Sequence, residues 1–133
     1  MTNRDAPLVL VADDEEDIRA LVAFRLDRAG YDVITAEDGE EALTLATTRL
    51  PDLIVLDMMM PKANGLEVTR SLRGLDATKD IPVILLTARA QEADVASGFE
   101  AGVDDYVKKP FSPKELQLRV QALLERRPAV SAA

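Results

Sequence analysis

Asp57 follows the run Leu53-Ile54-Val55-Leu56. Four consecutive large apolar residues read as a strand buried on both faces, the kind found inside parallel sheets. A carboxylate that ends such a strand carries a desolvation cost, so it asks for a purpose. Pro61 and the Asn64-Gly65 pair stop the strand and force a loop. Asp57 thus sits at the carboxyl edge of a central strand, where open α/β sheets place their chemistry. Other reactive groups follow other apolar runs in the same way. Asp13-Asp14 comes after residues 8–12, Thr87 ends the run 82–87, and Lys109-Pro110 comes after 105–108.

If these strands are neighbours, the groups converge on one edge. Three clustered carboxylates repel, and one is forced to protonate unless a cation sits among them. Mg²⁺ suits that role, because it is hard, prefers carboxylate and carbonyl oxygen, and keeps waters. A carboxylate beside it is placed to attack a phosphoryl group as a nucleophile, giving an acyl phosphate. Lys109 and the Thr87 hydroxyl supply donors to the phosphoryl oxygens. Taken singly, these residues have plainer readings. Asp13-Asp14-Glu15 alone is better read as the acidic first turn of a helix. Thr87 alone is a strand-end hydroxyl, and Lys109 alone a solvated charge. Tyr106 reads as half-buried packing, with a moving ring as the sharper alternative. The combination carries the functional reading.

Composition narrows the chemistry further. The chain has 133 residues, 47% hydrophobic and 30% charged, which is enough for one domain with a core. It has no cysteine and no histidine, so disulfides, imidazole metal sites and Ser-His-Asp catalysis are excluded. The net charge of −8 disfavours direct nucleic-acid binding by this domain. No apolar run spans a bilayer and no signal peptide opens the chain, so the expectation is cytoplasmic with no membrane partner.

Strand and helix alternate. Residues 8–12 predict the first strand, and a helix follows with Ile18, Leu21, Val22 and Leu26 on one face, ending near Gly30. Residues 32–36 predict the second strand. Asp38 reads as an N-cap with Glu41 completing a capping box, and that helix runs to about Arg49, before Pro51. A third helix is expected over 66–75, a fourth over 92–101 with Gly102 as its C-cap. Ser112-Pro113-Lys114-Glu115 is a strong start for the last helix, whose apolar face is Leu116, Val120, Leu123 and Leu124. The pattern implies a parallel sheet wrapped on both faces. The expected organisation is a tail over 1–7, one domain over 8–127, and a tail or linker stub over 128–133.

Asp13-Asp14, Asp57 with Met60-Pro61 and Gly65, Thr87-Ala88, and the run from Asp104 to Phe111 together resemble a two-component response-regulator receiver domain of the CheY-like kind. The resemblance covers residues 8–126. It implies a flavodoxin-like, doubly wound five-stranded parallel sheet of order 2-1-3-4-5, with five helices on both faces. It implies that Asp57 accepts a phosphoryl group from a histidine kinase or a histidine phosphotransfer protein. Asp13, Asp14, Asp57 and the backbone carbonyl of Met59 would hold Mg²⁺, with Asp13 acting through a water. Lys109 would pair with the phosphoryl group, Thr87 would swing toward it, and Tyr106 would turn inward. Ala88 leaves the phosphoryl path open, and the bond before Pro110 is expected to be cis. Such a domain is a switch rather than an enzyme, catalysing only its own phosphorylation and dephosphorylation. Residues 102–115 look most like the OmpR/PhoB branch. There the face of the fourth helix, fifth strand and fifth helix dimerises on phosphorylation, and Asp104, Asp105, Glu115, Arg119 and Arg126 match its salt-bridge positions. Val95 stands where that branch usually has a basic partner for Glu115. The plainer reading of these charges is a solvated helix face.

Two other chemistries compete for the same strand-end carboxylate. A haloacid-dehalogenase-type phosphatase also uses a strand-end Asp with Mg²⁺, but it wants a second Asp at the position of Met59, which has no acid to protonate a leaving group. A flavodoxin-like cofactor binder needs a phosphate loop after the first strand, whereas Asp13-Asp14-Glu15-Glu16 repels phosphate. Met59 and Arg89 occupy the two positions that tune dephosphorylation in receivers. Met offers no strong donor or acceptor and Arg no acceptor to orient an attacking water. The expected phosphoaspartate lifetime is therefore long to moderate and is shortened in Met59→Asn. A decay time course by intact mass checks this, and an unchanged or longer lifetime in the variant counts against it.

Overall fold

The computed structural model describes residues 6–88 and 99–126. Five strands, β1 (Leu8–Ala12), β2 (Asp32–Ala36), β3 (Leu53–Asp57), β4 (Val83–Thr87) and β5 (Asp105–Lys108), form one sheet of order β2-β1-β3-β4-β5. Every neighbouring pair is parallel. Helices α1 (Glu16–Arg28), α2 (Gly39–Arg49), α3 (Gly65–Arg73) and a C-terminal helix (Pro113–Arg126) cover it. The helix expected over 92–101 is described only at 99–101, which is helical; residues 89–98, with Arg89 and Val95, lie outside the described residues, as do both ends of the chain.

The unbroken apolar runs follow from two cores, one on each face. Leu10, Ile54, Leu56, Val83 and Leu85 pack with Ala42 and Ala46 of α2 and Val68 and Leu72 of α3. Val9, Val11, Leu53, Val55, Ile84 and Leu86 pack with Val22 and Leu26 of α1 and with Leu116, Val120 and Leu123 of the C-terminal helix. Successive strand residues point to opposite faces, so β1, β3 and β4 must be apolar throughout. β2 lies at the edge, and its Asp32 and Thr35 are exposed accordingly.

Local signals explain the boundaries. Asp38 accepts from the Glu41 N–H at 2.8 Å, as expected, but the Glu41 carboxylate bonds to the Glu37 N–H rather than to Asp38, so the capping box is half made. The complete box is at α3, where Asn64 and Glu67 bond reciprocally at 2.9 and 2.8 Å. That box moves the start of α3 one residue upstream of expectation. Ser112 caps the C-terminal helix through the Glu115 N–H at 3.0 Å. Leu21 departs from the sequence reading. It is 50% exposed, because the buried stripe of α1 runs through Val22 and Leu26 and an adjacent residue lies about 100° away around the helix.

Gly65 fixes the loop after β3. Its N–H donates to the Met58 carbonyl at 3.0 Å. A Cβ built there would lie 2.7 Å from the Asp57 carbonyl oxygen. Gly65→Ala therefore pushes α3 off the end of β3, with an expected loss of about 1–3 kcal/mol in urea unfolding and shifted Asp57 and Met58 amide resonances. Wild-type stability with unmoved resonances would contradict this packing.

Candidate phosphoacceptor and metal site

Register brings the reactive groups together. Ala12 pairs with Leu56, so Asp13 and Asp57 come next on adjacent strands. Asp57 pairs with Leu86, and Thr87 follows; Thr87 pairs with Lys108, and Lys109 follows. Backbone bonds hold these ends in place: Met58 N–H to Leu86 O at 2.8 Å, Lys109 N–H to Thr87 O at 2.7 Å, and Asp13 N–H to Ala36 O at 3.2 Å. The Lys109–Pro110 peptide is cis, as expected.

Asp13 is fully buried, Asp57 is 4% exposed and Thr87 is 2% exposed, while Asp14 is exposed. One ligand oxygen from each of Asp13, Asp14 and Asp57 lies within 4.8 Å of the others. Among the described residues this is a set of hard anionic oxygens suited to a divalent cation such as Mg²⁺. Lys109 Nζ stands 3.2 Å from Asp13 Oδ2 and 3.3 Å from Asp57 Oδ1. The Met59 N–H points toward Asp57 Oδ1 at 3.4 Å, and the Met59 side chain is 73% exposed beside it.

Burial, and then the charge of Asp13, push the Asp57 carboxyl up to about 6, against the opposing pull of Lys109 and the Met59 N–H. Burial would lower the Lys109 ammonium, but the carboxylates of Asp57 and Asp13 outweigh it and hold Lys109 above its ordinary value. One ammonium thus serves two buried carboxylates, and the pair is under-compensated.

Two further site residues carry no distinct signal in the sequence. Glu15 Oε1 lies 3.5 Å from Lys109 Nζ, and Arg19 donates from Nη1 to the Asp13 carbonyl at 2.9 Å. Both belong to the acidic run after β1 and the first turn of α1, a pattern that also fits an ordinary helix start. Tyr106 lies away from the acidic cluster. It pairs with Leu85, is half-buried, and meets Phe99 edge-on with ring centroids 5.2 Å apart. Four of the five candidate dimer residues, Asp104, Asp105, Glu115 and Arg119, are engaged within the chain. Asp104 bonds to Arg73 at 3.0 Å and to the Val83 N–H at 2.8 Å. Arg119 bridges Asp105 at 3.1 Å and Glu115 at 3.5 Å. Arg126 is exposed at the end of the helix. Among the described residues no helix is long and apolar enough to cross a membrane.

A family model described as response regulator receiver domain matches residues 9–121. The alkaline phosphatase synthesis transcriptional regulatory protein PhoP of Bacillus subtilis is 53% identical over 118 residues, 89% of this chain and 48% of the relative. The phosphate regulon transcriptional regulatory protein PhoB of Pseudomonas aeruginosa is 45% identical over 118 residues, 89% of this chain and 52% of the relative. The chain thus spans about half the length of these curated relatives. The receiver domain of sensor histidine kinase PA1611 from Pseudomonas aeruginosa, solved with a magnesium ion coordinated in its active site cleft, superposes with a TM-score of 0.83 at 30% identity, covering 90% of this chain and 98% of that one.

A carboxyl held near 6 when folded and near its ordinary 3.9 when unfolded takes up its proton first in the folded state. The cost of keeping Asp57 ionised is thus present above about pH 6 and fades as the pH falls toward 4. Without Mg²⁺, Asp57→Asn is expected to be more stable than wild type at pH 7.5 by about 1–3 kcal/mol, with the gap closing near pH 4.5. Paired denaturation curves check this, and a gap that widens on acidification contradicts it.

Proposed function

The chain belongs to the response-regulator receiver family, OmpR/PhoB branch, and on that footing we propose that Asp57 is its phosphoacceptor. Receiver domains are signalling switches of two-component systems, phosphorylated on an aspartate by histidine kinases, and not classical enzymes. They bind Mg²⁺ at an acidic pocket. The observation that carries the assignment is the buried Asp57 carboxylate at the end of the central strand, beside Asp13, Asp14 and Lys109. The phosphatase alternative is not favoured, since Met59 supplies no acid where that chemistry wants one.

In this reading Asp13, Asp14, Asp57 and the Met59 carbonyl hold Mg²⁺, which supplies charge compensation to the carboxylates and the phosphoryl oxygens. An Asp57 oxygen forms the new bond to phosphorus as the donor's bond to phosphorus breaks, and the donor leaves with that electron pair. Lys109 and the Thr87 hydroxyl donate to the phosphoryl oxygens. The Met59 N–H already points at an Asp57 oxygen, which helps orient the carboxylate. The domain, taken as 8–127, thereby catalyses only its own phosphorylation and dephosphorylation, with a histidine kinase or phosphotransfer protein as donor in the cytoplasm. Movement of Thr87 on β4 is passed to Tyr106 on the adjoining β5. The changed surface of the fourth helix, β5 and the C-terminal helix then controls an output domain, a partner or a homodimer. Transcriptional relatives about twice as long support an output domain. For dimerisation, Arg119 and Asp104 would exchange their present partners within the chain for ones across the interface.

Incubation with acetyl phosphate and Mg²⁺ is expected to add the mass of one phosphoryl group to wild type and none to Asp57→Asn, with light scattering on the same samples reporting any dimer. Equal mass gain in both proteins, or none in wild type, overturns the assignment.

A further inference from the structure

Glu15 occupies the N-cap of α1, yet its side chain makes no capping hydrogen bond. N-caps favour Ser, Thr, Asp and Asn, whose short side chains reach back to the helix N–H groups. The Glu15 carboxylate turns instead to Lys109, at 3.5 Å. Its backbone is fixed at that spot. The Glu15 N–H donates to Asp13 Oδ1 at 2.9 Å, and the Glu15 carbonyl accepts from the Arg19 N–H at 3.0 Å. Arg19 in turn grips the Asp13 carbonyl. A local helix rule is thus broken where α1 meets Lys109, and such breaks gather at functional sites.

Lys109 therefore faces three carboxylates, Asp13 and Asp57 inside and Glu15 at the rim. The Glu15 side chain is 63% exposed, whereas that of Lys109 is 15% exposed. A phosphoryl group on Asp57 needs the ammonium for its own oxygens, and the rim carboxylate competes for it. We propose that Glu15 is a positioning residue that holds Lys109 back at the mouth of the site and so slows phosphoryl acceptance. The proposal rests on Asp57 as acceptor and Lys109 as the phosphoryl's partner. A rim pair of this exposure has a modest effect and one that salt screens.

The test compares wild type, Glu15→Gln, Lys109→Ala and the double variant, with Glu16→Gln as a control for loss of one nearby charge. The rate of mass gain from acetyl phosphate is measured at saturating Mg²⁺. Glu15→Gln is expected to be about two- to five-fold faster at low ionic strength, with the gain largely gone at about 0.5 M salt. Glu16→Gln is expected to match wild type, and Glu15→Gln to add nothing in the Lys109→Ala background. In unphosphorylated protein the Lys109 side-chain NMR signals are expected to move in Glu15→Gln. An unchanged or slower rate, equal acceleration by Glu16→Gln, full acceleration without Lys109, or unmoved Lys109 signals each overturn the proposal while Asp57 stands as acceptor. A wild type that gains no mass removes both.

Discussion

Two carboxylates buried side by side with one ammonium between them set the terms for the rest of the molecule. Asp13 and Asp57 are forced together by the parallel register of β1 and β3, and neither can retreat to water. Lys109 reaches them from beyond β5, two strands from β3. The site therefore exists only when β1, β3, β4 and β5 are all in order. No local segment could assemble it, because Asp13 and Lys109 are 96 residues apart in the chain.

Holding such a site costs stability, and the two cores offset that cost. Asp57 is raised because burial disfavours its charge and Asp13 repels it. A bare pocket of this kind would relax by splaying the strand ends apart. Three apolar strands packed on both faces resist that, as interiors at crystal-like density do. The turn after β3 adds its own restraint, with Gly65 pressed on the Asp57 carbonyl and the Asn64–Glu67 box fixing where α3 begins. The strain is local while the support is distributed, so a cation among the carboxylates would relieve the first without disturbing the second.

Much of this was legible in the sequence because it depends on period and on chain breaks. The run 53–56 declares a doubly buried strand, and Ser112-Pro113 with Glu115 declares a helix start. The strand order was not legible from pattern alone, since β1, β3 and β4 are equally apolar, and it came through the family resemblance. Leu21 misled because an amphipathic stripe read from spacing does not say where its edge falls. Glu15 and Arg19 were hidden because an acidic first turn followed by a basic residue is ordinary helix chemistry. Only the position of Lys109, fixed 94 residues after Glu15 by tertiary structure, separates the two meanings.

The far surface is held differently from the site, and the difference matters for signalling. Arg119 bridges Asp105 and Glu115 while itself 42% exposed. Pairs of that exposure contribute at most about 1 kcal/mol each. Tyr106 is half-buried and touches Phe99 by an edge contact, an arrangement worth about 0.5–1.5 kcal/mol beyond its area. By contrast, Arg73 grips Gly102, Ile81 and Asp104 at 2.8–3.0 Å at the opposite end of the sheet from the acidic cluster. In the proposed reading, weak contacts on this surface and a firm clamp at the other end would let β5 and its flanking helix repack about a fixed base. In the proposed reading, a phosphoryl group on Asp57 would add roughly 1.5 to 2 negative charges, and its differential pull on Lys109 and Thr87 would be set against contacts of this kind.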